Sequence, residues 1–203
     1  MNKKFIDQLK KDVGRITYES ILDETVKNIK SNVKFLKFGK NISKIRNAKF
    51  AKNKVALIIG SGPSLREKNQ IIEIQKNRNK FIIIAADGAL YYLLQNKIIP
   101  DLVVSLDPHP TRIVRWFGDD TLNRKNLHKD DYFRKQDLDI NFRKELKVNK
   151  EILNLTKNYG NKLKIALCTS SSKKVVKRLI KIKSNIYWWN PFLDDPDIKK
   201  SIT

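Results

Sequence analysis

From residue 55 onward, short unbroken apolar runs alternate with segments whose apolar residues recur every three or four positions. Val55-Ala56-Leu57-Ile58-Ile59 is such a run and ends in glycine. Runs of this kind suit strands buried on both faces of a parallel sheet. Leu65 to about Lys76 has helical spacing, with Ile71, Ile72 and Ile74 as its apolar contacts. Phe81-Ile82-Ile83-Ile84-Ala85 predicts a second strand, Ala89 to Asn96 a short helix, and Leu102-Val103-Val104-Ser105-Leu106 a third strand. Residues 110 to 160 hold no strand run and read as an insertion of helices and loops over the strand ends. Leu163 to Cys168 predicts a fourth strand, followed by a helix through about Ile182, and Ile186-Tyr187-Trp188-Trp189 a fifth. The alternation predicts an α/β fold: a Rossmann-like, doubly wound, mainly parallel sheet with right-handed crossovers.

Residues 1–50 have a different pattern. Ile6, Leu9, Val13 and Ile16 fall on one helix face, and Ile21, Leu22, Val26 and Ile29 continue in the same manner. Lys34 to Lys54 is irregular and Lys-rich, and reads as a connector into the first strand. The expected division is therefore a basic helical extension over 1–50 and an α/β domain over 51–203. A doubly wound domain usually continues for another helix or two beyond its fifth strand, so the domain is expected to be truncated at its C-terminus.

At 203 residues with 40% hydrophobic and 32% charged positions, the chain is of the globular class. The formal charge of +22 raises the question of nucleic acid. Lys, Asn and Ile are abundant throughout, as an AT-rich coding sequence writes them, and the basic residues are spread along the chain. Nucleic-acid sites concentrate them on one face. The charge therefore points to a small anionic substrate such as a nucleotide, whose encounter rate a basic surface raises. Cys168 is the sole cysteine, so no internal disulfide forms, and in its apolar run it reads as a small buried hydrophobe. No segment approaches the length of a membrane span, and the N-terminus lacks the apolar stretch of a secretory signal. A cytoplasmic location is the expectation.

The distinctive short motifs fall at the carboxyl ends of the predicted strands, where open parallel sheets bind ligands. Gly60-Ser61-Gly62-Pro63-Ser64 follows the first strand. Glycines there allow close approach of a phosphate, Pro63 pre-sets φ, and Ser64 is suited to cap a helix whose free N–H groups would face an anion. The motif lacks the Gly-Lys-Ser/Thr of the P-loop and the third glycine of the dinucleotide fingerprint. A plain strand-to-helix turn explains it equally well. Ala86-Asp87-Gly88-Ala89 follows the second strand, and Asp87 suits a helix cap, a ribose contact or a metal ligand. Asp107 ends the third strand, where a carboxylate can hold Mg²⁺ against a diphosphate. His109, between Pro108 and Pro110, suits an acid, a base or a phosphate contact, or else faces solvent. Asp101 starts the same strand at the opposite edge and reads as a turn residue. Arg112 and Arg115 are candidates for bidentate phosphate contacts. Thr169 to Ser172 suit ligand contacts or an ordinary helix cap, and one of Trp188 and Trp189 suits stacking on a base or sugar. His128 has no evident partner, and two histidines with one cysteine give no zinc spacing.

Read in order, the strand, Gly60-Ser61-Gly62-Pro63-Ser64-Leu65, the next strand, Ala86-Asp87-Gly88-Ala89, and Ile98-Ile99-Pro100-Asp101-Leu102-Val103-Val104-Ser105-Leu106-Asp107-Pro108 resemble the 6-hydroxymethylpterin diphosphokinase MptE-like family. That family includes the central domain of the Maf motility-associated flagellin glycosyltransferases. The stretch from Ala86 to Asp101 is also distantly similar to thiamin pyrophosphokinase. The motifs cover about a quarter of the chain, and a looser α/β similarity extends to its end. The resemblance implies transfer of a diphosphate from ATP to a hydroxymethyl acceptor. By that resemblance Gly60, Gly62 and Ser64 would cradle phosphates, and Asp87 and Asp107 would serve Mg²⁺ or the acceptor; the reading of the residues adds Ser61, Asp87 and Gly88 to the nucleotide site and sets His109 beside Asp107 as a catalytic candidate. The diphosphokinases typically end the third strand with two closely spaced aspartates, whereas here Asp107 stands alone. The Ser105-Leu106-Asp107-Pro108 form is closer to the glycosyltransferase branch, whose members are much longer and use nucleotide-activated nonulosonic sugars with a glycan acceptor. A non-catalytic nucleotide-binding module is the third reading.

Overall fold

The computed structural model describes Gln8 and residues 21–47, 54–111, 113–129 and 144–192. Arg112, the first helical pattern over 6–16 other than Gln8, Asp130-Asp131 and the stretch after Phe192 lie outside the described residues, as does the side chain of His128.

One six-stranded sheet organises the chain, and every strand pair in it is parallel. The strands are β1 (Gly39–Asn41), β2 (Val55–Ile59), β3 (Phe81–Ala86), β4 (Leu102–Ser105), β5 (Lys164–Cys168) and β6 (Asn185–Trp189), in the order β1-β6-β5-β4-β3-β2. Helices flank the sheet, giving the α/β Rossmann-like, doubly wound class. They are α1 (21–32), α2 (Lys68–Lys76), α3 (Asp87–Gln95), α4 (Arg124–Lys129), α5 (Glu145–Tyr159) and α6 (Lys173–Lys181).

Parallel register sets the core. Ala85 pairs with Val103, Val103 with Ile165, and Ile165 with Ile186, so these side chains share one face. On that face Val103, Ile165, Leu167, Ile186 and Trp188 pack with Leu90 and Leu94 of α3 and with Val175, Val176 and Leu179 of α6. A second cluster joins Ile83 and Ala85 to Ile59, Ile71, Ala89, Leu93 and Ile98. In α3 the buried residues Ala89, Leu90, Leu93 and Leu94 follow helical spacing. Central β5 buries Ile165 to Cys168 without alternation, as a strand covered on both faces must.

Three expectations change. β2 is an edge strand, and Ile58 is 78% exposed, so its apolar run is not buried on both faces. A continuous apolar string carries no information about its place in the strand order. The Lys-rich connector supplies β1, which pairs with β6 from Gly39↔Ile186 to Asn41↔Trp188. Three residues are too few to register as a hydrophobic period. The helix expected from Leu65 is split into a 3₁₀ turn at Pro63–Arg66 and α2, which begins only at Lys68.

The insertion between β4 and β5 holds a 3₁₀ turn (Ile113–Trp116), α4 and α5. Ile113, Val114 and Phe117 of this insertion join the apolar core, and buried polar bonds add to the link. Arg178 of α6, almost fully buried, donates from Nε to the Phe117 carbonyl at 2.9 Å and from Nη2 to Thr156 Oγ1 at 2.7 Å. Asn149 of α5 exchanges two 2.8 Å bonds with the backbone of Asp119.

Candidate functional site

The loops after β2, β3 and β4 meet at one rim of the sheet. Gly88 lies against Ser61: a Cβ built on Gly88 would sit 3.0 Å from Ser61 Cβ and 3.2 Å from Ser61 Oγ. Any larger residue at 88 would push the two loops apart, so this glycine serves close approach. Asp87 is the first residue of α3, with Ala86 at the N-cap position. Its Oδ2 accepts from Ser105 Oγ at 2.7 Å and its Oδ1 from the Gly88 N–H at 2.8 Å. Burial pushes the Asp87 carboxyl above the usual range. The Ser105 and Gly88 hydrogen bonds oppose that, and the negative charge of Asp107 adds to it.

Asp107 lies two residues past the end of β4 and is half-buried. Its Oδ1 accepts from the His109 N–H at 2.7 Å, an Asx turn that holds the loop. His109 Nδ1 in turn accepts from the Thr111 N–H at 3.2 Å. Asp107 and His109 are thus set by the backbone of one short loop.

Gly60, Ser61, Gly62 and Ser64 are exposed beside this rim. No atom outside the adjoining residues comes within 4 Å of a Cβ built on Gly60, so its backbone faces open space. Gly62, not Ser64, occupies the N-cap position, and Ser64 lies within the 3₁₀ turn, where its carbonyl accepts from Glu67 N. Proline at the first position of that turn, with φ already set, favours an early start.

The remaining sequence candidates divide. Arg115 is buried, and its charge acts on the carboxyl of Glu145, which burial pushes up and Arg115 pulls down. Ser172 caps α6 by accepting from the Val175 N–H at 3.4 Å. Thr169 Oγ1 donates to Asn190 Oδ1 at 2.9 Å, and Ser170 Oγ is 3.3 Å from the Leu106 carbonyl. These hydroxyls therefore tie strand ends together. Trp188 is core and Trp189 is half-buried. Asp101 is structural, as expected: its Oδ2 accepts from the Ile83 N–H and from Arg78 Nη2, both at 2.9 Å. Cys168 is buried, and burial pushes its thiol up, which makes it a poor nucleophile.

Two features went unread in the sequence. Trp116 is 39% exposed while Ile113, Val114, Arg115 and Phe117 around it are buried. Its Cε2 lies 3.9 Å from a Cβ built on Gly88, so a fixed indole edge borders the Ser61–Gly88 contact. The exposure signal was hidden because Trp116 sits inside an apolar run. The second is α1. Asn28 Nδ2 donates to the carbonyls of Pro108 and Ser170 at 3.0 and 2.9 Å. Asn32 Nδ2 donates to those of Thr169 and Ser171 at 2.8 and 2.7 Å. Two asparagines one helical turn apart thereby hold the loop bearing Asp107 and the loop after β5. The Asn-x-x-x-Asn spacing was legible, but Asn is too common here for it to stand out.

Among the described residues, no three His, Cys, Asp or Glu side chains cluster as a metal site. The family model described as 6-hydroxymethylpterin diphosphokinase MptE-like matches residues 23–185. The match takes in α1 from residue 23, the strands β1 to β5, and the first residue of β6. No curated protein matches the chain.

Proposed function

The chain belongs to the 6-hydroxymethylpterin diphosphokinase MptE-like family, and from that premise we propose that it is a nucleotide-dependent transferase passing a diphosphate from ATP to a hydroxymethyl acceptor. The observation that carries the reading is the meeting of three loops: Ser61 against Gly88, and Asp87 bonded to Ser105 and sensing Asp107. The open backbone at Gly60 to Ser64 is suited to phosphate oxygens.

In this reading the acceptor hydroxyl oxygen attacks the β-phosphorus, the bond from that phosphorus to the α,β-bridging oxygen breaks, and AMP leaves. His109 takes the hydroxyl proton, and Asp107 orients the acceptor beside it. Asp87 and Asp107 would hold Mg²⁺. The chemistry of the pair suits it, since Mg²⁺ commonly takes one or two carboxylates with substrate phosphates. When bound, it would supply charge neutralisation of the diphosphate.

One observation favours a second reading. Both oxygens of Asp87 already accept protein hydrogen bonds, one from the Ser105 hydroxyl of the Ser105-Leu106-Asp107-Pro108 segment. An Asp87 engaged in this way supports glycosyl transfer from a nucleotide-activated sugar without a tightly held metal.

Thermal shift with ATP, a CMP-sugar and a UDP-sugar, each with and without Mg²⁺, tests the assignment. Stabilisation by ATP only with Mg²⁺ is expected. Stabilisation by the CMP-sugar regardless of metal would move the assignment to glycosyl transfer, and silence towards every nucleotide would remove both. Asp107→Asn is expected to abolish turnover with the melting temperature nearly unchanged. A large loss of stability in that variant would mark Asp107 as structural.

A further inference from the structure

Between Thr25 and Arg66 the sequence contains no Asp or Glu, in a chain that has 21 of them. The basic residues of this stretch meet the largest group of exposed apolar side chains among the described residues. After α1 the chain forms a six-residue 3₁₀ turn, Val33–Phe38. With three residues per turn, positions i and i+3 lie over one another. Val33 and Leu36 therefore form one row, Lys34 and Lys37 a second, and Phe35 and Phe38 a third. Phe35 packs against the core, so the Val33 and Lys34 rows face outward, while Phe38, at the end of the third row, is itself exposed. Val33 is 62% exposed, Leu36 39% and Phe38 49%. Lys34 and Lys37 are exposed between them, with their amines 5.6 and 5.4 Å from the ring centroids of Phe35 and Phe38. Lys27 and Lys30 of α1 and Lys40 of β1, on either side of the turn in the chain, are exposed as well.

We propose that this turn and its flanking lysines are a docking surface for an anionic lipid bilayer. The exposed side chains of the turn match the two layers of such a surface: Lys34 and Lys37 at the headgroups, and Val33, Leu36 and the exposed end of the third row, Phe38, at the acyl boundary. The Lys34 and Lys37 amines lie over the Phe35 and Phe38 rings, so charge and apolar surface adjoin. A nucleic acid would engage the lysines but leave Val33 and Leu36 without a partner, so the apolar row decides for lipid. The patch is firmly placed, because Asn32, immediately before it, is fully buried and bonded to the loop after β5.

Co-sedimentation of the full chain with vesicles tests this. Binding is expected to vesicles of phosphatidylcholine mixed with phosphatidylglycerol, not to phosphatidylcholine alone, and to weaken as salt is raised. Lys34→Gln with Lys37→Gln should weaken it about fivefold per lysine. Val33→Ser with Leu36→Ser and Phe38→Ser should weaken it about tenfold or more with an unchanged melting curve. Equal binding to both vesicle types, no binding to either, or full binding by the apolar triple variant overturns the proposal. Capture of single-stranded RNA that depends on the lysines and ignores the apolar triple variant also overturns it and assigns the face to nucleic acid.

Discussion

Asp87 shows how a single residue carries a cost at a candidate site. Its carboxyl is raised chiefly by burial, so the folded chain holds this proton more tightly than the unfolded chain does. Stability from this group is fully present below the unfolded value of 3.8 and is lost as pH rises through the higher folded value. Asp87→Asn removes the charge and keeps an oxygen for Ser105. It is therefore expected to raise the melting temperature at pH 7, with the gain vanishing when the scan is repeated in acid below the unfolded value. Trp116 gives the second test at this scale. If its exposed edge meets the ring of a bound ligand, Trp116→Ala should weaken nucleotide binding by about tenfold, the lower range of a lost aromatic stack. Calorimetry should show inorganic triphosphate binding unchanged. Of the residues at the rim, Asp87 and Asp107 were legible from their place after strands. Ser105 and Trp116 were not, because a bonded hydroxyl and an exposed indole have the same letters as unbonded and buried ones.

At the scale of elements, α1 is what periodicity understated. The spacing of Ile21, Leu22, Val26 and Ile29 was enough to predict the helix, but its task depends on the opposite polar residues. Asn32 is fully buried and supplies two carbonyls with their donors. Asn32→Leu leaves both carbonyls without that donor, at roughly 2–4 kcal/mol for the pair. Urea unfolding should record that loss as a lower midpoint with little change in slope. The strands behaved differently. β3, β5 and β6 were read within one residue of their bounds because buried parallel strands write continuous apolar runs. β1 escaped notice since its three residues, Gly39-Lys40-Asn41, hold no apolar side chain. It joins the sheet through backbone bonds to β6, and Gly39 allows the close approach, since a Cβ there would sit 2.5 Å from Trp188 Nε1.

At the scale of the molecule, a charge of +22 on 203 residues sets up self-repulsion in the compact state. Raising salt shortens the screening length to about 8 Å at physiological strength and weakens that repulsion. The melting temperature is therefore expected to rise between low and moderate NaCl, and differential scanning calorimetry would register it. A flat response would mean that local ion pairs, such as Asp120 with Lys181 at 2.5 Å, already balance the field.

The amino-acid order was sufficient for the class of fold, five of the six strands, and the three loops that bear the candidate chemistry. Those follow from local rules, since burial on a parallel sheet writes runs of Val and Ile, and turns select glycine and aspartate. The edge position of β2, the recruitment of β1, the bridging by Asn28 and Asn32, and the apposition of Ser61 with Gly88 depended on the assembled fold. Each joins residues far apart along the chain, and such contacts are selected by the free energy of the whole packing, which no local period encodes.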